Sequence, residues 1–150
     1  MNQRLQTREC SLEQLQPDVL KAIRHYYNSI IPSNLVSCFE TQGIWEYAGL
    51  LGKGSKTVYD TYIITADRVI SIPPSIDSES KRVYYFVDSQ NMVEFVDIES
   101  IEQTQHPSGM YDIRLKSRLD QAALLQKNAA PELHLIVESS QIAMRLVSII

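Results

Sequence analysis

The sequence has no long hydrophobic run and no excess of positive charge, and each shortage excludes a class of protein. No apolar run approaches the roughly 18 residues that a membrane-spanning helix requires, and the opening residues MNQRLQTRECSLEQ lack the apolar core of a secretory signal peptide. Lys and Arg number 14 against 18 Asp and Glu, which gives a formal net charge of −4. Proteins that bind nucleic acid neutralise phosphates with basic residues, so nucleic acid is not expected as a partner.

Cysteine is also scarce, being limited to Cys10 and Cys38. Neither belongs to a CxxC motif or to a cluster with histidine, so no zinc site is predicted. Two free thiols in a reducing cytoplasm are the simplest interpretation, and a single disulfide is the alternative. The expected location is therefore cytoplasmic, with no metal and no cofactor.

The remaining composition is typical of one globular domain. The chain has 150 residues, of which 44% are hydrophobic and 21% charged. A domain of this length buries roughly 68–70% of its unfolded surface, so it needs no metal or disulfide to fold.

The first 31 residues separate into a polar start and a helix. Residues 1–10 are polar and are expected to be frayed. In residues 11–31, apolar side chains recur at steps of three or four, which is typical of one helix face: Leu12, Leu15, Val19, Ile23, Tyr26 and Ile30. Pro17 suits the first helical position, and the helix is expected to end before Pro32.

From about residue 35 to residue 137 the pattern is typical of β-strands. Strands are predicted at 35–39 and 44–47, with a bend at 42–43, and the glycine-rich segment 49–56 is predicted as a loop. Two hairpins are expected, 58–64 with 69–72 and 82–87 with 92–96. Further strands are expected at 111–115 and 133–137. Residues 117–131 form an insertion with a short helix at 119–126, and a helix capped by Ser139 or Ser140 closes the chain.

Several segments resemble a known domain family. The run YIITADRVISI at 62–72 resembles the strand–turn–strand element of GRAM and bacterial pleckstrin-homology-like domains, and VDIESI at 96–101 resembles the element that follows it. The last strand and helix resemble the closing elements of the same superfold. The resemblance covers residues 34–150 and implies an α+β, mainly β fold. It implies a pleckstrin-homology-like, partly open antiparallel barrel with a C-terminal capping helix, to which the N-terminal helix is an addition.

No motif indicates catalysis. A phosphate-binding loop requires GxxxxGK[ST] before a helix, whereas Ser55 follows Gly54 here and strand residues come next. His25, His106 and His134 have no metal-ligand spacing. Asp97 and Glu99 are expected to share a solvated strand edge. No catalytic, cofactor-binding or metal-binding residue is therefore assigned.

Two sets of residues are candidates for binding. Pleckstrin-homology-like domains often bind anions near the first hairpin, and the basic residues there are the candidate anion or lipid contacts: Lys53, Lys56, Lys81 and Arg82. Aromatic rings are favoured at interfaces, and the candidate protein contacts are the tyrosine doublets Tyr26, Tyr27, Tyr84 and Tyr85. In a strand, one ring of a doublet faces the core and the other faces outward.

The sequence thus predicts a non-catalytic module for protein–protein interaction or assembly, with itself or another protein as partner. It would bury an apolar or aromatic patch, or add a strand at an open sheet edge. The alternative is an adaptor at an anionic membrane surface, which requires Lys53, Lys56, Lys81 and Arg82 to converge. A small enzyme and a small-ligand carrier are further alternatives.

Overall fold

In a computed structural model of the chain, the described residues are 6–26, 34–107 and 109–150. The fold is α+β and mainly β. The three helices are α1 (Pro17–Tyr26), α2 (Gln121–Lys127) and α3 (Ser140–Ile149). The strands are β1 (Gln6–Cys10), β2 (Leu35–Gly49), β3 (Gly52–Thr65), β4 (Arg68–Ile72), β5 (Pro74–Ile76), β6 (Val83–Tyr85), β7 (Met92–Glu94), β8 (Ile98–Gln105), β9 (Tyr111–Ser117) and β10 (Glu132–Val137).

The strands form three antiparallel sheets. The largest has the order β1-β2-β3-β4-β7, the second has the order β10-β9-β8, and β5 and β6 form a short hairpin of their own. Within the described ranges these sheets are not joined into a closed barrel.

Both faces of the five-stranded sheet are covered at the end of β3 and along β4, which explains the nearly continuous apolar runs of these segments. Side chains alternate between faces along a strand, and here neighbouring residues enter two different cores. Tyr62 and Ile64 pack toward the three-stranded sheet and α3. Ile63 and Ile70 pack toward α1. A strand buried on both faces is expected to read as an unbroken hydrophobic run.

Helix α1 begins at Pro17, as the sequence predicts, and places Val19 and Ile23 fully inside the core. A 3-10 turn at Leu12–Gln14 precedes it, with a capping box between Ser11 and Gln14. The amphipathic pattern therefore fixes which face of α1 covers the sheet.

The C-terminal half follows the predicted alternation closely. Ile113, Leu115 and Leu135 are fully buried, and His134 points outward. The Ser139 hydroxyl accepts a hydrogen bond from the Ile142 amide (3.3 Å) and caps α3. The predicted helix in the insertion is present as α2, capped by Asp120.

The structure corrects three local predictions. Residues 6–10, expected to be frayed, form β1, because they pair with residues 38–42 of β2. The strands predicted at 35–39 and 44–47 are one continuous strand, β2, and most of the predicted loop at 49–56 belongs to β3. The two strands form one long hairpin that turns at Leu50 and Leu51. Residues 82–87 and 92–96 do not pair with each other, since β6 pairs with β5 and β7 pairs with β4.

Candidate functional site

An aromatic groove lies between α1 and the segment that contains β6. Its walls are formed by α1 residues from Asp18 to Tyr26 and by residues 83–87, and its volume is about 480 Å³. We call this the α1–β6 groove. It brings together three of the four tyrosines named from the sequence, Tyr26, Tyr84 and Tyr85, although Tyr26 is far from the other two along the chain.

Three aromatic side chains of the α1–β6 groove are exposed. The exposed fractions are 44% for Tyr26, 41% for Tyr84 and 60% for Phe86. The Tyr84 and Phe86 rings stack, with centroids 6.2 Å apart and an angle of 22° between their planes. Such a pair is a preformed apolar surface, because its rings are already ordered against each other.

Tyr85 lines the groove from below, with most of its side chain buried in the core. It is 8% exposed, and its hydroxyl accepts a hydrogen bond from the Tyr59 amide at 3.2 Å. Burial raises the pKa of Tyr85 to about 12. The doublet therefore divides between the two faces, and the fourth candidate, Tyr27, lies outside the described residues.

Phe86 was missed by the sequence reasoning, although a signal was available. In Val83-Tyr-Tyr-Phe-Val87, alternation places Phe86 on the same side as Tyr84. Its position after the end of β6 weakens that rule, which holds only for extended backbone.

Polar groups line the rim of the α1–β6 groove. Asp18 and Lys21 come from successive turns of α1, and His25 follows one turn later. An apolar floor with a few polar groups at the edge is typical of a surface that binds another molecule.

A second exposed surface is the end of the β2–β3 hairpin, where Leu50 and Leu51 are fully exposed. Gly49 and Gly52 close the turn, and Gly52 has a φ of 118°, which favours glycine. We call these residues, 49–52, the hairpin tip. The leucine pair inside the glycine-rich segment was visible in the sequence but was not singled out.

The four candidate cations do not all converge near the hairpin tip. Lys56 donates a hydrogen bond to the carbonyl of Lys81, and the Lys81 ammonium lies 5.9 Å from the centre of the Tyr47 ring. Lys53 is paired with Ala48, one step from the Tyr47–Gly54 pair. It therefore lies on the face of the hairpin opposite to Tyr47 and Lys56. Arg82 is exposed in the β5–β6 turn.

Packing on the hairpin explains how its glycines are tolerated. The Tyr47 ring covers Gly54, where a Cβ would come within 2.6 Å of that ring. The Trp45 and Tyr47 rings lie 4.9 Å apart. The aromatic side chains thus replace the packing that a glycine-rich strand lacks.

The acidic residues behave differently from the sequence prediction. Asp97 lies in a 3-10 turn, is 8% exposed and pairs with Lys127 (3.0 Å), whereas Glu99 is exposed on β8. The expectation of one shared solvated edge is wrong, because the turn directs Asp97 inward. Glu94 also contacts Lys127, at 3.6 Å. These carboxylates form an ion-pair cluster.

The histidines lie on separate elements. His25 is at the groove rim, His106 is in the turn after β8, and His134 contacts Asp112 at 3.0 Å. Across the described ranges, no group of three or more His, Cys, Asp or Glu side chains is arranged to hold a metal ion. No helix in those ranges is both long and apolar enough to cross a membrane.

Comparisons with protein-family models, with curated proteins and with solved structures found no match.

Proposed function

We propose that this protein is a non-catalytic interaction module whose α1–β6 groove binds a short apolar segment of a partner protein. The observation that carries the proposal is the exposed aromatic surface formed by Tyr26 and the stacked rings of Tyr84 and Phe86. Large aromatic residues exposed together are common at protein interfaces and often dominate their binding energy.

The groove dimensions indicate the chemistry of the segment. A volume of about 480 Å³ accommodates two or three bulky side chains, and the lining is mostly apolar. We therefore expect the segment to carry leucine, phenylalanine or tryptophan residues on one side. The polar rim would orient the segment through hydrogen bonds at Asp18 and Lys21.

Selection from a displayed library of random linear peptides tests this proposal. The full chain should enrich sequences with two or more bulky apolar residues at a fixed spacing. A synthetic peptide of the enriched sequence should bind the Tyr84→Ala or Phe86→Ala variant of the protein roughly tenfold or more weakly than it binds the native sequence. Leu125→Ala is the control, since Leu125 is a large exposed hydrophobic residue that lies on α2, outside the groove.

A second candidate function is docking to an anionic membrane surface, and the specific observation that favours it is the hairpin tip. Leu50 and Leu51 are fully exposed. Lys56 lies further along β3 on the same hairpin, and Lys81, in the β5–β6 turn, contacts that hairpin at Lys56 and Tyr47. Basic residues near an anionic surface contribute about 1 kcal/mol each. The formal net charge of −4 opposes this attraction, and for that reason we place it second.

Trp45 makes the membrane candidate straightforward to test, because it is the sole tryptophan and lies in the β2–β3 hairpin. Vesicles with and without anionic lipid should be added at low and physiological salt. Membrane docking predicts a blue shift of the tryptophan emission with anionic vesicles only. It also predicts that Leu50→Ser/Leu51→Ser abolishes the shift. An unchanged emission spectrum would remove this candidate.

We also infer a pleckstrin-homology-like architecture for residues 34–150. The order of elements supports it: four strands in one sheet (β2, β3, β4 and β7), three in the next (β8–β10), and then α3. The β5–β6 hairpin would be an insertion between β4 and β7, and β1 and α1 would be additions. A cytoplasmic location stays a prediction.

A further inference from the structure

Cys10 and Cys38, the two cysteines of the sequence, are direct partners across the β1–β2 pair. A side-chain contact two residues away supports this register, because Arg8 Nε lies 3.1 Å from Glu40 Oε1 and Arg8 is opposite Glu40. Residues two apart on a strand share a face. The cysteine side chains therefore point to the same side of the sheet, toward α1.

This placement is compatible with a covalent bond. Directly opposite residues in an antiparallel pair have Cα atoms about 4.5 or 5.5 Å apart, and disulfides span Cα distances of about 4.4–6.8 Å. Both thiols are free in the structure. We propose that Cys10 and Cys38 form a redox-sensitive pair, which a low-molecular-weight disulfide oxidises to an intrachain disulfide between β1 and β2.

The oxidation proceeds in two exchange steps. The Cys10 thiolate attacks one sulfur of oxidised glutathione, the S–S bond breaks, and one glutathione thiolate leaves and takes up a proton. Cys38 then loses its proton and attacks the Cys10 sulfur, which releases the second glutathione. In total, two cysteine thiols lose two electrons and two protons, and one glutathione disulfide is reduced to two thiols.

The burial of the two sulfurs sets the order and the rate of these steps. Cys10 is partly exposed and Cys38 is fully buried, so the oxidant reaches Cys10 first. Burial raises the pKa of the Cys10 thiol and raises the pKa of Cys38 to about 12. Because the thiolate is the attacking species, oxidation is slow at neutral pH and becomes faster as the pH rises.

The disulfide would close a loop that contains the whole of α1. Helix α1 forms one wall of the α1–β6 groove, so this wall lies within the loop that the disulfide closes. Loop closure stabilises a protein mainly by restricting its unfolded chain. The effect on the groove rests on the proposed function, whereas the disulfide itself does not.

Equilibration of the full chain with oxidised and reduced glutathione tests the proposal. The pH should be about 8.5, which is the ordinary pKa of a cysteine thiol. After denaturation and alkylation, intact mass should show both thiols lost together, in a monomer. The melting temperature should rise by roughly 5–10 °C on oxidation and fall back on reduction.

Two variants make the result specific. Cys10→Ser should retain one alkylatable thiol and show no redox-dependent melting. Cys10→Ser/Glu9→Cys keeps two cysteines but moves one to the opposite face of β1, and it should not form the intrachain bond. Two alkylated thiols in the native sequence under oxidising conditions, or a disulfide between two chains only, would overturn the proposal. These readouts do not involve peptide binding, so they are independent of the groove experiment.

Discussion

The hydroxyl of Tyr62 joins the two main sheets through the main chain of Ile136. It accepts a hydrogen bond from the Ile136 amide at 2.9 Å and donates one to the Ile136 carbonyl at 3.3 Å. Tyr62 lies in β3 and Ile136 in β10, so this contact connects the five-stranded sheet to the three-stranded sheet. Burial raises the pKa of Tyr62 well above its usual value, which keeps the hydroxyl protonated as a donor.

Tyr62→Phe should therefore weaken the contact between the sheets. The Ile136 amide loses its acceptor, whereas the carbonyl keeps a hydrogen bond from the Thr41 hydroxyl (3.2 Å). We expect the free energy of unfolding to fall by about 1–3 kcal/mol, measured by urea denaturation. Tyr84→Phe, which removes a hydroxyl from an exposed ring, should change it by less than about 0.5 kcal/mol. Equal effects of the two substitutions would contradict this role.

Glu40 ties the start of α1 to the sheet. It is 4% exposed, accepts a hydrogen bond from the Gln16 amide at 2.9 Å and pairs with Arg8 at 3.0 Å. Glu40→Ala removes the carboxylate and so leaves both the Gln16 amide and Arg8 without this partner. It should lower the free energy of unfolding by about 2–4 kcal/mol. Glu40→Gln keeps an oxygen for the Gln16 amide and should cost less. Urea denaturation of both variants checks whether Glu40→Ala costs more stability than Glu40→Gln. An unchanged free energy of unfolding in Glu40→Ala would refute this role of Glu40.

Asp60 should make stability depend on pH. Burial raises its pKa from 3.8 to about 6, so between about pH 4 and pH 6 the folded protein holds a proton that the unfolded chain has lost. The contribution of Asp60 to the free energy of unfolding therefore decreases as the pH rises through this window. Asp60→Asn should match the native sequence near pH 4 and be more stable at pH 7–8. The shift in pKa sets an upper limit of about 3 kcal/mol on this gain in the free energy of unfolding. The expected gain is smaller than this limit, because Asp60 is only partly buried. A difference that is constant with pH would contradict this assignment.

Gly54 can carry a side chain only if the Tyr47 ring moves. A methyl group there meets the Tyr47 ring within 2.7 Å, so Gly54→Ala must displace the ring from its place beside Lys81. Because the ring is the end of a half-buried side chain that can rotate, we expect stability to fall by only about 1 kcal/mol and the emission of the neighbouring Trp45 to change. Gly109→Ala gives a contrasting case. A side chain at this position would contact nothing, and its strain would come from the backbone φ of 91° alone. An unchanged Trp45 emission in Gly54→Ala would argue against this packing.

The sequence predicted elements whose signal is local. In β9 and β10 strict alternation was enough, and in α1 the position of Pro17 and the spacing of Val19 and Ile23 were enough, because burial on one face imposes a period. Strands β9 and β10 are present where they were expected, and α1 begins at Pro17 as expected. The predicted end of this helix, before Pro32, lies outside the described residues.

Strand partners were harder to predict, because pairing is a long-range property. The segment 83–85 has the composition of a strand, yet nothing within it selects β5 over β7 as its partner. The glycines at 49–54 suggested a loop, because the covering ring of Tyr47 cannot be recognised without the register. A polar segment such as residues 6–10 joins a sheet only because β2 offers a free edge.

The candidate site was partly predictable for the same reasons. Alternation separated Tyr84 from Tyr85, but only the packing of α1 on the sheet places Tyr26 opposite Tyr84. The convergence of Lys56 and Lys81, and the exclusion of Lys53, likewise depend on hairpin register.

Mapping of amide chemical-shift changes on the ¹⁵N-labelled full chain, with the peptide selected from the display library, tests the central claim most directly. We predict saturable shifts at residues 18–26 and 83–87, with little change at residues 45–56. Shifts centred on the β2–β3 hairpin, or spread over the sheet with no change at Tyr84 and Phe86, would contradict the assignment of the α1–β6 groove as the binding surface.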